Sequence, residues 1–380
     1  MIQTWLDDIA LSIMVTGVLV GASAALLGTF LVLRGQSLLS DAISHSVVLG
    51  IVLVWMLTGQ IAGPWQLVGA GLVGLATVAL TEALARTRLV RMDAAIGLVF
   101  PALFALGVLL INIHARNVHI DAESVLLGEI GFVWLHTVSV AGLRAPVAVV
   151  TLAVVLAVNL GFVLLFYKEL KLASFDPALA AALGFAPGFL LNVLLGLTSA
   201  TAVAAFDAVG AILFVAFIVV PPATALLLSD RLSVVLALAV GLSAAAAILG
   251  YHLAVLGDVA IGGTMASMTG LFFAVALIAA PRHGLVARAL RRRVQRRDND
   301  CRALAAHLFT HAGTAEARVE TTAHALTDHL RWSGGRAQAV ILQGLDRGFI
   351  RRDGERLALT AKGEAVAREI FEPWGRGPPR

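Results

Sequence analysis

The 380-residue chain has few charged residues and a single cysteine. Charged residues make up 14% of it, against about a quarter of a typical soluble domain. Hydrophobic residues make up 59%, and together these values exclude an ordinary soluble protein and indicate a polytopic membrane protein. With Cys301 alone, the chain can form no intrachain disulfide, zinc ribbon or thiolate metal cage.

The chain also lacks a GxxxxGK[ST] phosphate-binding loop. Any ATP hydrolysis coupled to this protein must therefore belong to a partner, and we expect the chain itself not to be an enzyme. Basic residues are scarce before residue 282, with nine Lys or Arg against thirteen Asp or Glu, whereas residues 282–380 hold nineteen against eleven. The tail is thus a compositionally separate, basic segment.

Nine apolar runs approach the roughly 20 residues needed to span hydrocarbon. The first follows acidic residues rather than a basic signal region, which predicts a retained helix. An eight-span arrangement is the alternative. Asp207 falls at the joint between the sixth and seventh runs, where we expect a broken helix. The runs cover residues 9–33, 38–58, 66–85, 94–113, 145–167, 188–205, 208–228, 232–256 and 261–280.

The basic residues of the short loops predict the orientation, since Lys and Arg are enriched on the cytoplasmic side. If the N-terminus lies outside, the inner side receives the basic tail and seven loop residues. The outer loops then hold only Arg116 and Arg144 as basic residues. The inner set is Arg34, Arg86, Arg88, Arg91, Lys168, Lys171 and Arg231.

Asp41 and His45 lie inside the second apolar run, in the stretch RGQSLLSDAISHSVVLG. Their i, i+4 spacing puts both side chains on one helix face, where one ion can contact both. Ionisable residues inside a span usually mark an ion path. Carboxylate and imidazole donors suit manganese, iron or zinc rather than Cu(I). Two ligands leave the shell incomplete, so water, backbone carbonyls, the Asp207 region or a second chain must supply the rest; Asp207 is equally well read as a helix cap.

The loop KELKLASFDPALAAALGFAPG predicts a short cytoplasmic helix. Asp176 is a suitable N-cap, Pro177 suits the first helical position and Gly184 can end the helix. Leu179 and Leu183 give the helix an apolar side. It is either a docking surface for a soluble partner or an ordinary interfacial helix.

The tail begins with a basic juxtamembrane helix over residues 282–300, of the kind that contacts anionic lipid. Residues 301–372 then predict three helices, a hairpin around Asp353-Gly354 and a fourth helix. This order is that of a winged helix-turn-helix domain, with 336–347 in the recognition position. Because that helix is mostly apolar, we rank nucleic-acid binding behind a protein-interaction or regulatory role. The wing would carry Arg351, Arg352 and Arg356.

Four tail histidines have spacings that suit metal binding, but no acid or cysteine cluster in the sequence completes a site. We therefore favour solvated surface histidines. They are His307, His311, His324 and His329.

The segment LVLRGQSLLSDAISHSVVLGIVL strongly resembles the permease subunits of zinc, manganese and iron ABC importers. Asp41 and His45 stand at that family's metal-site Asp and His. Three further segments are similar to the family's coupling helix, seventh-helix region and last span, and AFDAVG is closer to its manganese and iron branch. They are SFDPALAAALGF, AFDAVGAILFVAFIVVPPATALLLSDRL and GYHLAVLGDVAIGGTMASMTGLFF.

The resemblance implies an all-α membrane permease, residues 1–281, in the bacterial inner membrane. It would take a divalent metal from an extracytoplasmic binding protein and pass it inward when a cytoplasmic ATPase closes. It also implies a second permease chain, the same or related, and a metal that is cargo rather than a resident cofactor. A metal sensor with winged-helix output and a proton-coupled secondary transporter are the alternatives. Residues 301–372 are similar to the winged helix of iron-dependent repressors, and 373–380 would be a disordered end.

Overall fold

The computed structural model describes residues 8–59, 64–114, 130–140, 143–314 and 317–371. The chain divides into two compact units, Met1–Gly284 and Leu285–Arg380. Each unit has its own hydrophobic core.

Among the described residues, nine helical segments are long and apolar enough to cross a membrane, as the nine apolar runs predict. Two of them lie on either side of a kink within one helical segment, α8. The helices of this unit are α1 Ile9–Leu33, α2 Ser37–Thr58, α3 Pro64–Arg86, α4 Met92–His114, α5 Val147–Leu165, α6 Tyr167–Phe175, α7 Pro177–Ala182, α8 Pro187–Leu228, α9 Leu232–Gly257 and α10 Ile261–Ala279.

The α8 helix is broken at Gly210, where the backbone has φ 74° and ψ 171°. This conformation is essentially restricted to glycine. The break lies three residues after Asp207, so the sixth and seventh apolar runs do meet at a local interruption of helical geometry.

The core of the membrane unit forms where α1 packs against α8. At Gly28 an added Cβ would lie 1.9 Å from the carbonyl oxygen of Ile218, so only glycine permits this approach. Phe30, Phe214 and Phe217 are fully buried beside it. Lipid tails are as apolar as leucine, so no hydrophobic driving force brings membrane helices together. Small residues at such contacts instead let the helix backbones approach closely.

The connection between α4 and α5 contains structure that hydropathy does not predict. A 3₁₀ helix, Ile130–Leu135, precedes two antiparallel strands, β1 Thr137–Val140 and β2 Leu143–Pro146. The strands pair in register from Thr137 with Pro146 to Val140 with Leu143. A short hairpin of this kind gives no strong apolar signal, which is why the sequence indicates only a loop here.

The C-terminal unit begins with a single long helix, α11, which runs from Leu285 to His311. The basic segment 282–300 and the first predicted tail helix are therefore largely one helix. The second predicted helix is divided instead. Thr322 forms a β-bridge with Arg356 of the hairpin and caps the helix that follows, and the carbonyl of Thr321 accepts a hydrogen bond from Leu357. The remaining elements are α12 Ala317–Glu320, α13 Ala323–His329, α14 Gly334–Asp346, β3 Ile350–Asp353, β4 Arg356–Leu359 and α15 Ala361–Phe371.

The hairpin of this unit lies close to its predicted position. Asp353 pairs with Arg356, so the two turn residues are Gly354 and Glu355, one position later than predicted. Gly354 has φ 64° and provides the left-handed geometry that a two-residue turn needs. The α14 helix and the hairpin pack on a core that includes Leu304, Leu326 and Ile341.

Candidate functional site: a carboxylate–imidazole pair in the second span

The α2 helix presents Asp41 and His45 on the same face, as their spacing predicts. The Oδ1 of Asp41 lies 3.4 Å from the Nε2 of His45. Opposite them, two rings of α4 bracket the imidazole, with Phe100 stacked at 5.7 Å and Phe104 edge-on at 6.0 Å between centroids. The ring of His45 is therefore held in place while its nitrogen points to the carboxylate.

The rest of α2 is firmly buried, which fixes the direction of this pair. Leu39, Ala42, Ile43 and Val47 are completely covered by neighbouring helices. By contrast, the side chain of Asp41 is 39% exposed and that of His45 is 32% exposed within the single chain. The pair thus lies at an edge of the helix bundle rather than in its centre.

Two hydroxyl groups fix the rotation of α2 against α3 one residue beyond the histidine. The hydroxyls of Ser46 and Thr77 are 2.7 Å apart, and both residues are fully buried. In a membrane interior a polar contact between helices of this kind contributes about 1 kcal/mol. It holds the Asp41–His45 face towards α4.

Asp207, the third predicted ligand, has a side chain that lies outside the described part of the chain. Its backbone belongs to the last turns of α8 before the break at Gly210. Its role as a ligand or as a capping acid therefore stays a prediction.

The predicted cytoplasmic helix is present as α7. The Oδ1 of Asp176 accepts a hydrogen bond of 2.9 Å from the backbone N–H of Leu179, Pro177 occupies the first helical position, and Gly184 follows the helix with φ 87°. Leu179 is 46% exposed and Leu183 is 60% exposed. The helix and the residue that follows it thus present a partly exposed apolar surface.

A half-buried arginine links the start of α2 to the helix that leads into α7. The Nε of Arg34, in the turn between α1 and α2, donates to the Oγ of Ser174 near the end of α6 at 3.4 Å. Burial lowers the pKa of this guanidinium. The sequence predicts Arg34 only as a basic residue on the inner side of the membrane. Its contact with Ser174 cannot be predicted, because the two residues are 140 positions apart.

Three of the tail histidines come together in the C-terminal unit, and an acid joins them. His307, His311 and His329 lie within ring contact of one another, beside Glu320. Burial lowers the pKa of His307. His324 is separate, with a 90% exposed side chain near Asp328. The sequence shows no acid or cysteine cluster that completes a site here, but the fold places Glu320, nine residues after His311, beside these histidines.

Comparison with known proteins identifies the membrane unit. Residues 7–280 match the model of a family described as ABC-3, the ABC 3 transport family. The chain is 45% identical over 357 residues to the zinc transport system membrane protein TroD of Treponema pallidum, covering 94% of this chain and 97% of TroD. It is 46% identical over 280 residues to the manganese transport system membrane protein MntD of Bacillus subtilis, covering 73% of this chain and 95% of MntD.

The fold is also similar to a solved structure, PsaBC from Streptococcus pneumoniae in complex with Fab. The TM-score is 0.62 at 28% identity, over 74% of this chain and 98% of that chain. The similarity to TroD extends into the C-terminal unit, because its 357 aligned residues exceed the length of the membrane unit.

Proposed function

The chain belongs to the ABC 3 transport family, and we propose that it is the permease subunit of an ATP-driven importer of manganese, iron or zinc. The observation that carries this proposal is the Asp41–His45 pair, with its atoms 3.4 Å apart inside a membrane-spanning helix. One carboxylate oxygen and one imidazole nitrogen suit these cations. Relatives named for zinc and for manganese have nearly equal identity to the chain, so overall identity does not separate the metals.

The exposure of the pair supports the participation of a second permease chain. A carboxylate facing lipid at this depth would cost several kcal/mol, and such residues face a partner or a water-filled path instead. Two side-chain ligands also leave a divalent ion short of the four or more it takes. The coordination shell of the ion is completed by a second copy of α2, a related permease, water or backbone carbonyls.

The orientation is proposed from the distribution of basic residues, with the N-terminus outside and the C-terminal unit in the cytoplasm. On this arrangement α2 begins at Ser37 on the inner side. His45 is eight residues along, or about 12 Å at 1.5 Å per residue. The metal site then lies in the inner, cytoplasmic half of the membrane.

The α7 helix is the proposed docking site of a separate cytoplasmic ATPase, since the chain has no phosphate-binding loop of its own. Its exposed Leu179 and Leu183 supply the contact. The contact between Ser174 and Arg34 then offers a direct route from this helix to the start of α2. An extracytoplasmic binding protein would deliver the metal from the other side.

We assign the C-terminal unit to the winged helix-turn-helix class, on the order α11, α13, α14, hairpin, α15. Its recognition-position arginines support a regulatory rather than a DNA-binding role. Arg336 forms a bidentate ion pair with Asp300, which raises the pKa of the arginine. Arg347 pairs with Asp298. Charges paired in this way are less available to phosphates. Arg351, Arg352 and Arg356 of the wing are exposed.

The test is metal uptake into vesicles that contain the permease and its ATPase, with manganese, iron and zinc in competition. Asp41→Ala and His45→Ala should abolish uptake at unchanged membrane insertion. His252→Ala is the matched control, because it removes an exposed imidazole from another span, and it should transport normally. Normal uptake by both site variants would refute the metal site.

Two further arms separate the alternatives. A proton-coupled transporter would continue to take up metal when the ATPase is inactivated and the gradient is intact, whereas the proposed importer would stop. A membrane-tethered sensor would lose its transcriptional effect when residues 301–380 are removed, whereas the importer would keep uptake.

A further inference from the structure

Four polar side chains converge in the C-terminal unit, from three separate helices. His307 and His311 come from one face of α11, one turn apart, with ring centroids 4.7 Å from each other. Glu320 ends α12 and His329 ends α13. Ligand atoms of His307, His311 and Glu320 all lie within 4.8 Å of one another.

The hydrogen bond of His307 leaves its other ring nitrogen as the one that can bind a metal ion. Its Nε2 is 3.0 Å from the backbone carbonyl oxygen of Glu320. A carbonyl oxygen only accepts, so Nε2 carries the hydrogen and Nδ1 presents a lone pair. Metal-bound imidazoles are usually held by such a hydrogen bond from the other ring nitrogen to a carbonyl or carboxylate.

One carboxylate oxygen of Glu320 lies close to an imidazole nitrogen without forming a hydrogen bond to it. Its Oε2 is buried and has no hydrogen-bond partner among the described residues. The Nδ1 of His329 is only 3.1 Å away, yet it does not meet hydrogen-bond geometry. A buried carboxylate oxygen without a donor is costly. A cation among the three imidazoles would satisfy it.

We propose that His307, His311 and Glu320, with His329 as a fourth candidate ligand, bind a divalent transition-metal ion. Ligands at about 2.0–2.2 Å around one ion are at most about 4.4 Å apart. The observed 4.8 Å therefore closes with side-chain shifts of a few tenths of an ångström. Two or three imidazoles with one carboxylate favour zinc or ferrous iron over magnesium or calcium.

This site is distinct from the Asp41–His45 pair and does not depend on it. A bound ion would link the end of α11 to α12 and to the end of α13, which directly precedes α14. The end of α11 and α13 already share the hydrophobic core of this unit, in which Leu308 and Leu326 are buried, and a bound ion would add a polar link between them. The C-terminal unit would gain a metal-dependent state of its own.

The experiment uses the full chain in lipid nanodiscs, with Asp41→Ala and His45→Ala introduced together to remove the pair in α2. Zinc bound per chain is measured by equilibrium dialysis and mass spectrometry, and Co²⁺ is used as a spectroscopic probe of nitrogen ligands. We expect one ion per chain in this background. His311→Ala and Glu320→Gln should each weaken binding at least about tenfold, since even groups that only support a ligand are worth about 10–100-fold.

His324→Ala is the matched control, because it removes an exposed histidine of the same unit that is not part of the cluster. It should leave zinc binding unchanged. Circular dichroism of the metal-free variants checks their fold, and His311 is partly exposed, so its truncation should be tolerated. The proposal is overturned if the Asp41→Ala, His45→Ala background binds no zinc, or if folded His311→Ala and Glu320→Gln proteins bind it as tightly as their parent.

Discussion

The proposed docking role of α7 makes a quantitative prediction for Leu183→Ser. Full burial of a leucine side chain contributes about 1.5–3 kcal/mol. Leu183 is 60% exposed in the chain, so covering it in a complex leaves about 1–2 kcal/mol to be gained. At about 1.4 kcal/mol per factor of ten, replacing it by serine should weaken ATPase binding about 5–30-fold.

The assay measures, by biolayer interferometry, the equilibrium binding of the purified ATPase to the permease in nanodiscs. Leu89→Ser is the control, because Leu89 is 85% exposed in a loop assigned to the same side of the membrane but outside α7. It should bind the ATPase normally. Unchanged affinity for Leu183→Ser, or an equal loss for both variants, would refute the assignment of α7 as the docking surface.

Three further predictions follow from local structure. Asp176→Ala removes the N-cap of α7 and should destabilise that helix by about 0.5–2 kcal/mol, seen as faster amide exchange at Leu179; unchanged exchange would contradict the cap. Gly28→Ala places a Cβ 1.9 Å from the Ile218 carbonyl and should lower the melting temperature sharply, whereas Gly71→Ala meets no atom within 4 Å and should not. Hydrogen bonds from His283 and Arg282 lower the pKa of Asp230, so its carboxylate stabilises the fold above the unfolded pKa of about 3.9. The melting-temperature difference from Asp230→Asn should then persist down to about that pH and disappear as pH falls through the lower folded pKa; a difference that persists in acid would contradict this.

The features that the sequence predicts well are those encoded within a few positions. Apolar runs predict the nine spans because hydropathy is a local sum. Asp176, Pro177 and Gly184 predict α7 because each acts on the backbone of its own position or of one at most three residues away. The hairpin is misplaced by only one residue, since a turn depends on Gly354 and its immediate neighbours.

The features that it does not predict depend on contacts between distant segments. The second tail helix is divided because Thr321 accepts a hydrogen bond from Leu357, 36 positions away, and this pairing competes with continued helix. The Arg34–Ser174 contact is similarly non-local. Local propensity cannot foresee a partner that only the folded chain provides.

One of the two candidate metal sites can be predicted from the sequence and the other cannot. Asp41 and His45 are neighbours on one helix turn, so their meeting follows from helical geometry alone, and their surroundings in a membrane make them conspicuous. In the C-terminal unit the same geometry brings together only His307 and His311. Glu320 joins them through a turn, and its backbone carbonyl also fixes the tautomer of His307. Glu320 thus supplies a side-chain ligand and, separately, the backbone carbonyl that orients His307. Because Glu320→Gln removes the charged ligand and keeps that carbonyl, it tests metal ligation without disturbing the orientation of His307.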